Sequence, residues 1–464
     1  MTIDALSRLN SLVKSSSFLA ELLEPMCALL THAARIEEEF CNAREEGLGH
    51  LETKLQKPLA ELKAQLLQRA AQKKAGLTPP ECPVCGRRLT RRRKVERTIH
   101  TASGEIKVAR ALGWRSKCKE WFCPGDEALG VESGYSPAVQ ELAALFASKM
   151  PLSEASAVLE HVLGIKLPPT TLDRVAKQAA EKARRKRRQL DEEACSGKFP
   201  AKAAAPATLV IMMDAWNIRE RDDFGRSAAV RKAGREPQRW HWVWTGTVFG
   251  LEQRTSKNER PMILHRGYVA TREGMESFVE QLHGEALRHG LGRAQRVLVM
   301  GDGGVWIWTI ARGRFKEAAQ RIDLYHIKQH LWTFARELHA DPEEQALWVR
   351  RMKNRLKKGQ TGKVIQQLEE ALTEMEPARQ ETARKQVGYF KEHQHRMSYA
   401  EAEKLHEPSG TGAIESTCRQ YQCRFKRPGQ FWSQEGDEGL LCLDTFWRNQ
   451  RWNLLYPHCD PSKN

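Results

Sequence analysis

Acid is what this chain is short of. Its 464 residues hold 75 Lys and Arg against 58 Asp and Glu, a net charge of +17. That balance favours a polyanionic partner, either nucleic acid or an anionic membrane surface. Long uncharged apolar runs are missing, so nothing is expected to span a membrane. The opening stretch, MTIDALSRLNSLVKSSSF, lacks the basic-then-apolar order of a secretory signal. A cytoplasmic protein with nucleic acid as partner is the simplest expectation. Internal repeats are absent as well. The 11 cysteines are spread unevenly along the chain, which speaks against a disulfide scaffold and for reduced thiols and a metal site.

What is present is apolar material, 41% of the residues, enough for real cores in roughly two to four domains. Residues 1–76 carry Leu, Ala, Glu and Lys at helical spacing. They read as an N-terminal helical arm, an amphipathic bundle with a jog at Pro58. In residues 77–132, GLTPPECPVCG breaks that pattern and RKVERTIHTASGEIKVARAL alternates about Ala102-Ser103-Gly104, which predicts a hairpin leading to CKEWFCPGD. Residues 133–195 return to helix, with a turn between Gly164 and Thr170 that makes a helix-turn-helix candidate. SGKFPAKAAAPA, at 196–207, reads as a linker. The last domain, 205–464, opens on three strand-like runs, ATLVIMMD, RWHWVWTGTVFGLE and PMILHRGYVAT. The helix REGMESFVEQLHGEALRHG, the run RVLVMGDGG and the passage RIDLYHIKQHLW follow. This order predicts an α/β core with a mixed sheet. Within it, about 333–406 reads as a charged helical insertion.

Two apolar runs end in an acid, at Asp214 and Asp302. Ligands of α/β sheets sit at the carboxyl ends of strands, and a buried carboxylate needs a partner or a metal. Neither MMDAW nor MGDGG holds a cation, so the pair predicts a divalent-metal site, with Gly301, Gly303 and Gly304 allowing close approach. Mg²⁺ or Mn²⁺ takes carboxylate oxygens and keeps positions for phosphate. Two such ions roughly 3.5–4 Å apart serve a phosphodiester displacement. A third carboxylate is then needed. Glu415 follows the Gly-rich turn PSGTGA at the head of a helix whose later charges, Arg419, Arg424, Lys426 and Arg427, are basic. The competing reading is a first-turn Glu stabilised by the helix dipole.

The ordered set MMDAW, MGDGGVWIW, DLYHIKQHLW, GTGAIESTCRQYQCRFKRPGQFWS and NQRWNLLYPH, with ECPVCG upstream, resembles the Kra-type bacterial insertion-sequence transposases. The resemblance runs from about Cys82 to Pro457. It implies DDE chemistry on an RNase H-like core, in which Asp214, Asp302 and Glu415 are the first, second and third acids. His326 then stands beside the site or the scissile DNA, and Asp323 has a lesser role. Thr411 and Gly304 depart from the usual Ser and Ala, and Asp444 stands where a basic residue is expected. The implied reaction is metal-assisted cutting at transposon ends, then attack of the freed 3′ hydroxyl on target DNA by a protein that oligomerises on DNA. The alternatives are a DNA-binding protein with an inactive core, acting as repressor or architectural factor, and a nuclease that cuts without joining.

Cys82-Pro-Val-Cys85 forms one knuckle and Cys118 with Cys123 a second pair. All four can hold one structural Zn²⁺ in a zinc-ribbon-like module; a metal-free thiol pair is the alternative. Arg91, Arg92 and Arg93 beside it suggest DNA contact, against the ordinary solvated face. The run Arg184, Arg185, Lys186, Arg187 suggests phosphate contact. His241, His265, His283 and His289 lack ligand spacing. Trp240, Trp242 and Trp244 alternate and are expected to pack on one sheet face. Trp306 and Trp308 read as core, and Cys418, Cys423, Cys442 and Cys459 as free thiols.

Overall fold

The computed structural model describes residues 17–43, 47–198, 205–221, 227–236, 239–257 and 260–457, with a few isolated positions before residue 46. The middle of the expected linker, at 199–204, and Cys459 lie outside the described residues. The chain divides into two compact units, Met1–Ala179 and Ala180–Asn464.

In the first unit, helices α1 (Ser17–Asn42) and α2 (Leu48–Leu77) realise the expected arm. Helix α2 runs through Pro58 without ending. The hairpin forms as the alternation predicts: β1 (Thr90–Thr101) pairs antiparallel with β2 (Gly104–Arg115), with Thr101 facing Gly104 across a two-residue turn. The short β3 (Glu120–Phe122) covers only the far end of β2. Along the rest of that edge helix α2 supplies partners. Gln68 Oε1 accepts from Lys107 N at 2.9 Å and Gln72 Oε1 from Ala109 N at 2.8 Å, so an edge that would otherwise recruit another strand is capped. Ile99, Ile106 and Val108 bury their side chains with Ala75 of α2. After α3 (Pro124–Ala128) come α4 (Pro137–Lys149), α5 (Leu152–Leu163) and α6 (Pro169–Cys195). Gly164 takes a left-handed φ of 65° where the turn is expected.

The second unit is built on a five-stranded mixed sheet. Its strands are β4 (Thr208–Glu220), β5 (Arg239–Gly250), β8 (Gly267–Thr271), β9 (Arg296–Gly301) and β10 (Ala319–Ile322), in the order β10-β9-β4-β5-β8. Strands β4, β5 and β8 pair antiparallel, while β9 lies parallel to β4 and β10 parallel to β9. The expected single strand PMILHRGYVAT is two: β7 (Arg260–Ile263) pairs only with β6 (Arg254–Lys257), and β8 alone joins the main sheet. Helix α7 (Ser227–Lys232) precedes β5, α8 (Met275–Arg288) precedes β9, and α9 (Val305–Arg314) crosses from β9 to β10. The insertion is helical as read: α10 (Leu324–Leu338), α11 (Pro342–Lys357), α12 (Thr361–Glu374), α13 (Pro377–Glu392) and α14 (Tyr399–Lys404). Then α15 (Gly412–Phe425) and α16 (Gln434–Arg448) close the unit. Leu209, Ile211 and Met213 of β4 form one apolar core with Phe278, Leu282, Ile307, Trp308 and the insertion helices.

Candidate functional site

The acids arrive on separate elements. Asp214 sits within β4, not at its end. The strand continues to Glu220 because β5 pairs along its whole length, from Leu209 opposite Gly250 to Glu220 opposite Arg239. Its Oδ1 accepts from Ala215 N at 2.7 Å. Asp302 follows the last residue of β9, the strand beside β4. Its Oδ1 accepts from Gly304 N at 2.9 Å, and the loop can turn so tightly because Gly303 has φ +107°. A Cβ at Gly303 would strike the Tyr389 hydroxyl, and one at Gly304 would lie 2.8 Å from Trp306 Nε1.

Glu415 lies in the first turn of α15. That helix start is pinned to the sheet by Asp323, the N-cap of α10. Asp323 Oδ2 accepts from Thr411 N at 2.6 Å and from the Thr411 hydroxyl. Its Oδ1 accepts from Tyr325 N and, at 3.2 Å, from His326 N. Thr411 Oγ1 also lies 3.3 Å from Glu415 Oε1, so the residue that Asp323 holds stands against the Glu415 carboxylate.

These elements bound one cleft of about 250 Å³, open to solvent and lined by Met213, Asp214, Asp302, Tyr325, His326, Thr411, Ile414 and Glu415. Four residues far apart in the chain and singled out from the sequence thus share one cavity, whose lining holds no Lys or Arg. The Asp214 carboxyl is held above the usual carboxylate range, first by burial and then by the charges of Asp302 and Glu415; the Ala215 amide and Cys418 oppose the shift. Acceptor-only groups that repel one another in a half-buried cleft suit a hard cation. Among the described residues the group here whose ligand atoms lie within 4.8 Å of one another is Asp323, His326 and Glu415; Asp214 and Asp302 line the same cleft but stand outside that group. Asp323 is buried with both oxygens bonded, so it serves better as an anchor than as a ligand.

In the first unit, Cys82, Cys85 and Cys118 also meet within 4.8 Å. The sulfur of Cys118 is 3.8 Å from that of Cys82 and 3.9 Å from that of Cys85. Ligands about 2.3 Å from a tetrahedral Zn²⁺ stand about 3.8 Å apart, so the three fit that ion. Arg115 Nε donates to Cys85 Sγ at 3.1 Å. This contact and, more strongly, an Arg87 backbone donor lower the Cys85 thiol to about 6. Cys123 is outside the group. It follows β3 and forms the N-cap of α3, and three extended residues carry a chain about 10 Å, away from the knuckle.

The basic residues divide. Arg91, Arg92, Arg93, Arg185, Arg419 and Lys426 are exposed. Arg427 is half-buried, its Nε 3.4 Å from Cys423 O, and Lys186 bonds Gln189 at 3.2 Å. Three other basic residues are engaged inside the protein. Arg184 is 2.7 Å from Glu273. Arg187 lies 2.8 Å from both Glu273 and Glu438. Arg424 is buried with its guanidinium 4.9 Å from the Trp432 ring. These charges answer internal carboxylates and rings. None of the four histidines set aside above joins a metal-ligating group among the described residues; His241, for one, lies 3.0 Å from Glu220. The sequence reading missed Thr411 as the link between Asp323 and Glu415, and Cys418 beside Asp214. The one available signal was that RID repeats, in miniature, the apolar-run-then-acid pattern of MGD. A second, much smaller cavity, of about 30 Å³, is lined by Arg187, Asp191, Glu285, Arg288 and Arg451 among others. Arg288 and Arg451 pair there with Asp191 and Glu285, and Arg187 with Glu273 and Glu438.

The fold and site define a mixed α/β protein with an acidic cleft where β4, β9 and α15 meet. Residues 249–450 match a family described as an uncharacterised protein family (UPF0236). The matched stretch includes Asp302, Asp323, His326 and Glu415 but neither Asp214 nor the thiol cluster. No curated protein matches the chain. Among the described residues no helix is long and apolar enough to cross a membrane.

Proposed function

We propose that this chain is a DDE transposase of an insertion sequence, of the Kra type, which cuts transposon ends and joins them to target DNA by divalent-metal-dependent phosphoryl transfer. One observation carries the reading: Asp214, Asp302 and Glu415, from elements about 90 and about 110 residues apart, line the same cation-free cleft. The strand order supports it too. Three antiparallel strands are extended by two parallel ones beside the first, the arrangement expected of an RNase H-like core.

Asp214, Asp302 and Glu415 would hold Mg²⁺ or Mn²⁺, which when bound supplies Lewis-acid activation of the attacking and leaving oxygens. The protein's part is positioning. The Ala215 and Gly304 amides each fix one carboxylate oxygen, and Asp323 fixes the helix that bears Glu415. His326 faces the cleft with its Nδ1 3.9 Å from Asp323 Oδ1, within reach of the scissile strand. Arg419 and Lys426, exposed on or just beyond α15, would take phosphates. Cys82, Cys85 and Cys118 would hold a structural Zn²⁺. DNA bound by an oligomer in the cytoplasm, with the nucleoid, completes the reading.

The test is a strand-transfer assay on a mini-transposon with Mg²⁺. The Asp302→Asn variant is expected to bind the ends and to lose cleavage by at least about 10³-fold, the scale on which transition-state electrostatics operate. Undiminished cleavage in that variant sinks the site. Cleavage without joining in the unaltered protein would identify a nuclease instead.

A further inference from the structure

Strand β5 carries three tryptophans on one face: two are exposed and the third, Trp244, is half-buried. Trp240 and Trp242 are each 56% exposed, contrary to the expectation that they pack. They stand on the part of the β4–β5 ribbon that runs past Asp214, opposite Arg219 and Asn217. Cations surround them. The Arg219 guanidinium is 5.5 Å from the Trp240 ring and 5.1 Å from that of Phe431, Arg221 is 4.0 Å from Phe431, and Lys426 is 5.9 Å from Trp240. The row then leads inward. The rings of Trp242 and Trp244 are 6.4 Å apart and tilted by 31°, and Trp244 is 5.0 Å from Trp306, the indole that abuts the Asp302 loop.

Two large exposed indoles have no purpose in a core. Alternate residues on a strand recur at about 6.8 Å, twice the roughly 3.4 Å of one stacked base, so neighbouring rings of the row are spaced to admit a base. Aromatic faces set among cations are what a single strand recognises, rings taking the bases and cations the backbone. Duplex DNA keeps its bases stacked and offers no free base face to a ring. Asp214 pairs with Thr245 and so leaves the opposite face of the sheet; the row meets the cleft only at its Asp302 end.

We propose that Trp240 and Trp242, with Arg219 and Lys426, form a stacking platform for unpaired bases of a DNA strand that leads toward Asp302. The proposal deepens the function above and rests on it for the identity of that strand, but binding to the platform needs no divalent metal.

The experiment measures the anisotropy of labelled poly-dT and of a duplex of equal length, titrated with the full chain without added divalent metal. Trp240→Ala with Trp242→Ala is expected to weaken poly-dT binding by roughly tenfold or more and to leave the duplex within roughly twofold. Trp240→Phe with Trp242→Phe is expected to restore most of the loss, which a folding defect would not. Unchanged poly-dT affinity in the alanine variant overturns the platform, and so does equal loss for both ligands. A change in sedimentation with poly-dT affinity intact overturns it too, since the face is then a contact between proteins. The catalytic reading fails separately: if Asp302→Asn cleaves normally, that reading falls whatever poly-dT does.

Discussion

Asp323 commits both carboxylate oxygens inside the protein. One caps helix α10 and the other receives the amide and hydroxyl of Thr411; its own amide donates to Gly301 O at 2.9 Å, one residue before Asp302. A single residue therefore ties three parts together: its side chain joins the insertion's first helix to the Glu415 helix, and its backbone amide holds the strand end before Asp302. Losing the cap costs about 1 kcal/mol, and stranding the buried Thr411 donors about 1–3 kcal/mol more. Asp323→Ala is expected to lower stability by about 2–4 kcal/mol in urea unfolding. Asp323→Asn, which keeps one acceptor oxygen, is expected to recover part of the stability but little of the cleavage, because Glu415 then drifts. If Asp323→Asn cleaves as the unaltered protein does, Asp323 has no positioning role.

At the level of elements, periodicity carried most of what could be read. The hairpin at 90–115, the helices of the insertion and the strands before Asp302 and Asp323 all form where apolar spacing places them, because those patterns are local. Two kinds of feature were not legible. The apolar run is read as ending at Asp214, yet β5 holds AWNIRE after it as strand; the register belongs to the pair, not to either segment. The same limit applies to Arg184 and Arg187. Their charge is plain in the sequence, while the carboxylates that answer it lie 86 to 251 residues away. The thiol cluster shows the boundary within one module. The knuckle was readable from its spacing, but whether Cys118 or Cys123 faces it depended on where β3 begins. Cys118→Ser is therefore expected to lower the zinc content of the purified full chain and its melting temperature, with Cys123→Ser leaving the zinc content unchanged. Elemental analysis beside thermal melts decides this, and equal zinc loss in both variants would return Cys123 to the ligand set.

For the whole molecule, the excess of 17 positive charges is not a uniform coat. Part of the Arg content closes internal ion pairs and part faces water, and only the second part can release counterions from DNA. The two classes separate in a salt titration, since each phosphate neutralised contributes about −0.9 to the slope of log affinity against log salt. Arg419→Ala and Lys426→Ala are each expected to make that slope shallower by about 1, with unchanged melting temperature. Arg187→Ala is expected to do the reverse. It leaves the buried Glu438 without its 2.8 Å guanidinium partner, a loss of about 3–5 kcal/mol of stability, and leaves the slope as it was. The comparison asks whether a basic run acts by its charge or by its address. A slope that responds to Arg187 and not to Arg419 or Lys426 would move the DNA path away from α15, and with it the reason for placing Glu415 beside a phosphodiester.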